Sequence, residues 1–295
     1  MPIIYLFAFI FAGLALQLVL GKQKWFHKGV NLLSKFVYYV LVPVVFFDIF
    51  MARGLEIADA GVLLTVTIYV AVSVAGLMIG LRGLDDKRRK AVTITSTFQN
   101  AVFLGFPVVM IIFGDLTPAA MYSLVMFIYH LVTAGILSTG KTNIARSVAG
   151  IPIIYGFSLG TLLHYTVDPS IVEPLHQILA PTHPMLSYTA VFVLGASIPL
   201  NLSVITSSVK EVVLIGLWRF FVGPLIHYLV ILLIDLPPLY EGEIMVLSFM
   251  PPAVMNTVLA RIYGWEPEMV AGATMIHTFI GLIIILYFAV LGVPF

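Results

Sequence analysis

Two prolines and an asparagine stand inside an apolar stretch late in the chain, "SFMPPAVMNTVLARIYG" (248–264). Pro251 and Pro252 each lack a backbone N–H group and clash with the preceding helical turn, which costs roughly 3 kcal/mol or more in a helix interior. Asn256 follows within about one helical turn. The pattern predicts a membrane helix that is interrupted at mid-depth, next to a polar side chain.

A second stretch, "QNAVFLGFPVVMIIFGD" (99–115), has the same character. Pro107 removes the hydrogen bond to the carbonyl of Phe103, and Gly105 lowers the resistance of the helix to unwinding. Gln99 and Asn100 stand just before these residues. We therefore expect a second interrupted helix, with its break near Pro107.

Backbone groups freed inside hydrocarbon are unfavourable unless they are packed in protein or line a cavity. Asn100 and Asn256 each offer an amide donor and acceptor. Restarted helices present N-terminal N–H groups and positive dipole ends, which favour an anion. The alternative is that these prolines are ordinary kinks, which are common in membrane helices. The predicted binding site comprises the polar and proline residues of both interruptions: Gln99, Asn100, Pro107, Pro251, Pro252 and Asn256.

Of the ionisable residues that fall within apolar stretches, three are singled out here as functional candidates. His130 and His277 flank the interrupted segments in sequence, and a histidine can gain a proton near neutral pH. They suit either proton coupling or a structural role as hydrogen-bonded core residues. Arg219 suits either attraction of an anion or extension toward lipid headgroups. All three are included among the candidate substrate-binding residues.

The composition indicates an integral membrane protein. Hydrophobic residues make up 61% of the 295 residues and charged residues 10%, whereas soluble proteins contain about 25% charged residues. The mean hydropathy is +1.09. The apolar runs are continuous, which argues against a transmembrane barrel with alternating strands. The net charge of +1 favours no nucleic acid partner, and the absence of cysteine excludes disulfides and thiolate metal sites.

Ten apolar stretches are long enough to cross a membrane. The first has no basic region before it, so we interpret it as a span and not as a removable signal. The predicted spans are roughly 3–20, 29–51, 60–81, 91–113, 117–137, 149–166, 185–206, 209–234, 243–263 and 267–291. Basic residues concentrate in the odd-numbered loops. The positive-inside rule therefore predicts both termini on the non-cytoplasmic side of the cell (inner) membrane.

The two halves of the chain echo each other. "YYVLVPVVFF" in the second span contains Pro43, and "VFVLGASIPLNL" in the seventh contains Pro199. Five spans per half is an odd number, so the second half enters the membrane in the opposite orientation, as in many secondary transporters. The predicted fold class is all-α: two inverted five-helix repeats, 1–137 and 149–295, joined by a cytoplasmic loop at 138–148.

The chain resembles the auxin efflux carrier family, the bacterial and archaeal relatives of plant PIN-type carriers. The matching pieces run in the family's order: "YYVLVPVVFF", "NAVFLGFPVVMIIFGD", "GIPIIYGFSLGTLL", "VFVLGASIPLNLS", "LWRFFVGPLI" and "SFMPPAVMNTVLARIYGWEPEMVAGATMIHT". The last is the most specific. Plant members usually have a proline before the first crossover asparagine, where this chain has Gln99, and they carry a long loop between the halves that this chain lacks.

The resemblance implies that the fourth and ninth helices cross at their breaks. It further implies a scaffold of spans one, two, six and seven, an elevator-like transport unit of spans three to five and eight to ten, and a homodimer formed through the scaffold. Family members move small organic anions. We therefore expect a secondary transporter that works by alternating access in the lipid bilayer, with no cofactor.

The sequence pattern also bears on three alternative functions. A sodium-coupled symporter of the bile-acid type shares crossed helices, but sodium sites commonly include a carboxylate, and neither predicted interruption contains one. A passive channel can also use interrupted helices. An intramembrane enzyme is not favoured, because the chain contains no HExxH or GxGD motif and no paired carboxylates within its apolar stretches.

Overall fold

The structure is a computed structural model that describes residues 3–139, 149–198 and 208–291. Within these ranges the chain is helical, and one isolated antiparallel bridge is present. The helices are α1 (Ile3–Leu20), α2 (Lys24–Phe36), α3 (Val42–Arg53), α4 (Ile57–Gly80), α5 (Asp86–Thr97), α6 (Phe106–Ile112), α7 (Thr117–Thr139), α8 (Pro152–Thr166), α9 (Pro169–Leu179), α10 (Thr182–Ser197), α11 (Val209–Leu217), α12 (Gly223–Ile231), α13 (Pro238–Ser248), α14 (Val254–Tyr263) and α15 (Pro267–Leu291).

Among the residues that the structure describes, six stretches have the length and apolar composition of a membrane-spanning helix. They are Lys24–Arg53, Ile57–Gly80, Thr117–Ser138, Pro169–Ser197, Val209–Ile231 and Pro267–Tyr287. Ile4–Leu20 and Ala101–Ile112 are apolar but shorter. The prediction of a multi-pass, all-helical membrane protein is confirmed, whereas the count of ten spans stays a prediction.

Three prolines are accommodated by widened helical turns. Pro43, Pro107 and Pro224 are each the second residue of an α-helix that directly follows a five-residue π-helical segment. A proline clashes with the carbonyl four residues earlier, and in each case that carbonyl lies in the π-helical segment. A π-turn is a known way to relieve such a clash. Pro107 therefore lies within a continuous helical segment, and the prediction of a break there is wrong: the helix stops earlier, after Thr97.

Glycines allow two helix pairs to approach closely. Helix α1 packs along α10, and α3 packs along α8. A Cβ atom on Gly195 would lie 2.1 Å from the Ile10 carbonyl oxygen, and one on Gly156 would lie 2.1 Å from the Pro43 carbonyl oxygen. Only glycine fits at such contacts, so α1, α3, α8 and α10 form one tightly packed group.

One helix was not expected from the sequence. The predicted loop between the sixth and seventh spans contains α9, which packs against α3. Asp48 of α3 is fully buried. Its two carboxylate oxygens contact His176 Nδ1 at 3.0 Å and His183 Nε2 at 2.8 Å. The predicted loop at 138–148 falls almost wholly outside the described residues, as does Pro199.

Candidate functional site

The chain leaves helical geometry at two places that pair with each other. Helix α5 ends at Thr97, and α13 ends at Ser248. Between the paired segments, the Asn100 amide donates to the Pro251 carbonyl at 2.8 Å, and the Ala253 amide donates to the Phe98 carbonyl at 2.9 Å. Each interruption therefore satisfies backbone groups of the other.

The two asparagines hold this pairing in place. Asn256 Nδ2 donates to the Phe98 carbonyl at 2.9 Å, so this side chain of α14 fixes the first interruption. Asn100 Oδ1 accepts from the Phe103 amide at 3.2 Å and caps the helical turn that begins at Ala101. Both asparagines are buried.

Arg219 connects the carbonyl ends of both interrupted segments. It is fully buried, and its Nε donates to the Met250 carbonyl at 3.0 Å. One terminal nitrogen donates to the Ser248 carbonyl at 2.7 Å and the other to the carbonyls of Ser96 and Thr97 at 2.9 and 3.1 Å. A helix leaves its last carbonyls without intrahelical donors, and here the guanidinium supplies them.

Pro251 and Pro252 explain why the end of α13 needs this arginine. The carbonyl of Ser248 would normally accept from the amide four residues later, but that residue is Pro252, which has no N–H group. The Leu247 carbonyl likewise has no amide donor four residues later, because that residue is Pro251; it accepts from the Met250 amide instead, at 3.1 Å. Arg219 thus satisfies a carbonyl that the proline pair leaves free.

A chain of buried polar groups holds Gln99. Gln99 Nε2 donates to the Tyr122 hydroxyl, which lies 2.8 Å from His227 Nε2. His227 Nδ1 lies 2.8 Å from the Gly223 carbonyl oxygen. Tyr122 and His227 are fully buried, and Gln99 is 3% exposed.

A cavity of about 340 Å³ lies beside the paired segments. Its walls come from α2 and α3, the two interruptions, α7, α8 and α10, and most of the lining side chains are apolar. The lining includes Asn31, Ser34, Lys35, Tyr38, Val42, Gln99, Asn100, Phe103, Ser123, Met126, Phe127, His130, Ile153, Val193, Leu194, Ala253, Val254 and Met255.

Four lining atoms at the interruption end of the cavity are buried without a hydrogen-bond partner. They are Gln99 Oε1, Asn100 Nδ2, Ser123 Oγ and His130 Nε2. The His130 ring stacks on Phe98 with a centroid distance of 4.3 Å. It also lies close enough to the Asn256 side chain for the two groups to interact. Because buried polar groups are almost always satisfied, these atoms are suited to bind a polar ligand.

The electrostatics of the cavity favour an anion. The first turns of both restarted segments line it, at Ala101–Gly105 and at the start of α14. Helix N-termini carry a positive partial charge and free N–H groups. Lys35 lines the cavity from α2, and among the described lining residues there is no carboxylate.

The predicted site residues fall into three groups. Gln99, Asn100 and His130 line the cavity. Arg219 and Asn256 lie behind it and hold the interruptions, as described above. The remaining predicted residues are outside the lining: Pro107, Pro251, Pro252 and His277. His277 is buried on α15 against α11, where a Cβ on Gly216 would lie 2.6 Å from its Nε2.

Sequence reasoning missed the polar side of α2. Asn31, Ser34, Lys35 and Tyr38 all line the cavity. Their spacing of three or four residues places them on one face of a helix. This amphipathic pattern is visible in the sequence, but none of these four residues is among the predicted site residues.

Comparison with known proteins places the chain among transporters. A family model described as membrane transport protein matches residues 1–150 and 151–290. The chain is also similar to an uncharacterized transporter of Methanocaldococcus jannaschii, with 23% identity over 282 residues that cover 86% of this chain and 87% of the relative. The resemblance noted from the sequence motifs is thereby confirmed.

Proposed function

This chain belongs to the membrane transport protein family of the auxin efflux carrier type, and we propose from that premise that it is a secondary transporter for a small organic anion. The substrate carboxylate binds at the interruption end of the 340 Å³ cavity. The observation that carries this proposal is the Asn100 side chain: it belongs to a residue that lines the cavity, its Oδ1 is held by the Phe103 amide, and its Nδ2 is buried without a partner.

The cavity suits an anion with an apolar body. Its volume is at the lower end of the range of about 300–1,000 Å³ that is typical of small-molecule sites. Val42, Phe127, Val193 and Leu194 form apolar walls away from the interruptions. A carboxylate attached to a small aromatic or branched group would place its charge at Asn100 and its body against these walls.

The position of the cavity supports alternating access. The lining comes partly from the tightly packed group of α1, α3, α8 and α10 and partly from the paired interruptions. We propose that this packed group, with α2 and α9, is the scaffold, and that the interrupted segments belong to the moving unit of a ten-span inverted repeat. Movement of one unit against the other would then carry the site across the bilayer.

The direction in which the cavity faces follows from the proposed topology. Asn31, Ser34 and Lys35 line the cavity from the first half of the second predicted span. The positive-inside rule assigns the start of that span to the cytoplasm. We propose that the described conformation is open toward the cytoplasm.

Thermal stabilisation of the purified protein by small carboxylates tests the site. We expect a subset of carboxylates to raise the melting temperature of the wild type and Asn100→Ala to reduce that shift, because the cavity loses an unpaired amide donor. Gln177→Ala, which removes an exposed amide on α9, is the matched control and should leave the shift unchanged. Full stabilisation of Asn100→Ala by the same compounds would place the site elsewhere.

Transport itself is tested by uptake of the stabilising compounds into proteoliposomes. Preloaded unlabelled substrate should accelerate uptake of labelled substrate, because a carrier exchanges substrate across the membrane and a channel does not. Uptake that is insensitive to preloading would indicate a passive channel. Uptake that requires sodium would indicate the symporter.

A further inference from the structure

We propose that Gln99 selects, among organic anions, those that also carry an N–H or O–H hydrogen-bond donor. This inference rests on the proposed function and names the substrate class of the same site. It follows from the direction of the hydrogen bonds that run from Gly223 through His227 and Tyr122 to Gln99. We call these four residues the glutamine relay.

The relay begins at a carbonyl, which can only accept. His227 Nδ1 lies 2.8 Å from the Gly223 carbonyl oxygen, so Nδ1 carries a proton and donates. The ring is fully buried and its other hydrogen-bond contact is a tyrosine hydroxyl. Burying a charged imidazolium without a carboxylate partner is strongly unfavourable. The ring is therefore neutral, and Nε2 is an acceptor.

The remaining orientations follow from this acceptor. The Tyr122 hydroxyl lies 2.8 Å from His227 Nε2 and must donate its single proton to it. Its oxygen can then only accept from Gln99, so the amide nitrogen Nε2 of Gln99 points toward Tyr122. The oxygen Oε1 of Gln99 is left without a partner in the cavity lining.

Two neighbouring amides thus present opposite groups to the ligand. Asn100 offers the donor Nδ2, because its oxygen caps Phe103. Gln99 offers the acceptor Oε1, because its nitrogen is bound by Tyr122. A simple carboxylate satisfies Asn100 and leaves Gln99 Oε1 buried and unpaired. A carboxylate that also bears a hydroxyl or N–H group satisfies both.

This arrangement discriminates because the relay is rigid. A free glutamine can rotate its amide and offer either group, but rotation here would place Oε1 against the Tyr122 oxygen, with no proton between them. A site built to bind a donor rejects the analogue that lacks it, because a buried acceptor is left unpaired.

Matched ligand pairs test the selection. The first pair is 4-hydroxyphenylacetate with 4-methoxyphenylacetate, in which the donor lies far from the carboxylate. The second pair is indole-2-carboxylate with 1-methylindole-2-carboxylate, in which the donor lies next to the carboxylate. We expect the wild type to bind the donor-bearing member of at least one pair about 10-fold more tightly. Dissociation constants come from thermal shift or calorimetry on the intact protein.

Two variants assign the preference to the relay. Gln99→Leu removes the acceptor and should abolish the preference. Tyr122→Phe frees the Gln99 amide to rotate and should reduce the preference mainly by improving binding of the donor-blocked compound. A general packing defect would weaken both members of a pair alike, so the ratio within a pair reports the orientation of Gln99.

Each result has a defined meaning. Equal binding of both members of each pair by the wild type, or an unchanged preference in Gln99→Leu, overturns the inference and leaves the organic anion site standing. If no member of either pair binds, the inference falls, and the proposed function is decided separately by the wider set of small carboxylates.

Discussion

Replacement of Arg219 by methionine should destabilise the protein more than the loss of any surface charge. The guanidinium is fully buried and donates to four backbone carbonyls. The Thr97 carbonyl also accepts from the Tyr69 hydroxyl at 2.7 Å and stays satisfied. Methionine has a similar length but no donor, so it fills the space and removes the hydrogen bonds.

The expected loss follows from the carbonyls left behind. Ser96, Ser248 and Met250 would each have a buried carbonyl without this donor. An unsatisfied buried group costs about 1–3 kcal/mol, which gives about 3–9 kcal/mol for three. A whole protein is stable by only about 5–15 kcal/mol. We expect the melting temperature to fall by at least about 6 °C.

The assay compares Arg219→Met with a matched surface variant in the same detergent. Arg261 is exposed in the last turn of α14, so Arg261→Met should change stability by less than about 1 kcal/mol. Arg219→Lys keeps the charge but offers fewer donors in a different geometry, so its melting temperature should lie between those of wild type and Arg219→Met.

A local measurement separates this cause from a general loss of packing. Arg219 stabilises the ends of α5 and α13, so its loss should expose the hydrogen bonds between the two interruptions. Amide hydrogen exchange at Asn100 and Ala253, which donate across them, should accelerate in Arg219→Met. Equal melting temperatures for Arg219→Met and Arg261→Met would refute the reasoning.

Two further perturbations have matched controls. Gly195→Ala should lower the melting temperature, because its Cβ would lie 2.1 Å from the Ile10 carbonyl oxygen and overpacking typically costs about 1–3 kcal/mol. A Cβ atom on Gly29 of α2 would have nothing within 4 Å, so Gly29→Ala should raise the free energy of unfolding by up to about 1 kcal/mol and with it the melting temperature. Lys35→Ala should weaken carboxylate binding about two- to fivefold, as expected for a partly solvated charge. Lys28→Ala on the same helix should leave carboxylate binding unchanged. Thermal shift compares each variant with its control.

The positions of the long helices were predictable because apolar runs in a membrane protein have few alternatives to helix. Predicted spans at 3–20 and 267–291 coincide with α1 and α15. Helix α9 was missed because it contains Glu173 and Pro174 and is amphipathic. Such a helix is recognised by the period of its apolar residues and not by its mean hydropathy.

The interruption beside Pro251 and Pro252 was predictable from the sequence, since two adjacent prolines remove two consecutive donors. The one beside Gln99 was placed at the wrong residue. Pro107 looked equally disruptive in the sequence, but a π-helical turn absorbs its clash. Whether a proline ends a helix or only widens a turn depends on what its neighbours can bond to, and that is a property of the folded protein.

The roles of Arg219 and His227 lay beyond sequence reasoning. Arg219 bonds to groups of α4, α5 and the end of α13, which are distant along the chain. Both residues are isolated polar positions in an apolar run, a pattern shared by ligand-binding, structural and lipid-facing side chains. Counting backbone hydrogen bonds could have suggested a structural role for a buried donor. Two interruptions leave four or more carbonyls without intrahelical donors, and water is absent at that depth.

The two interruptions also separate the negative from the positive helix ends, and this relates Arg219 to the proposed anion site. Each helix end carries roughly half an elementary charge, negative at the C-terminus and positive at the N-terminus. The two C-terminal ends, of α5 and α13, together amount to about −1 and meet the single positive charge of Arg219. The two N-terminal ends, about +1 together, line the cavity with Lys35 and no carboxylate among the described lining residues, and the C-terminal end of α10 at Ser197 offsets only part of this charge. Under the proposed function, Arg219 would contribute to anion preference without touching the ligand, because it neutralises the negative ends that would otherwise offset the field at Asn100.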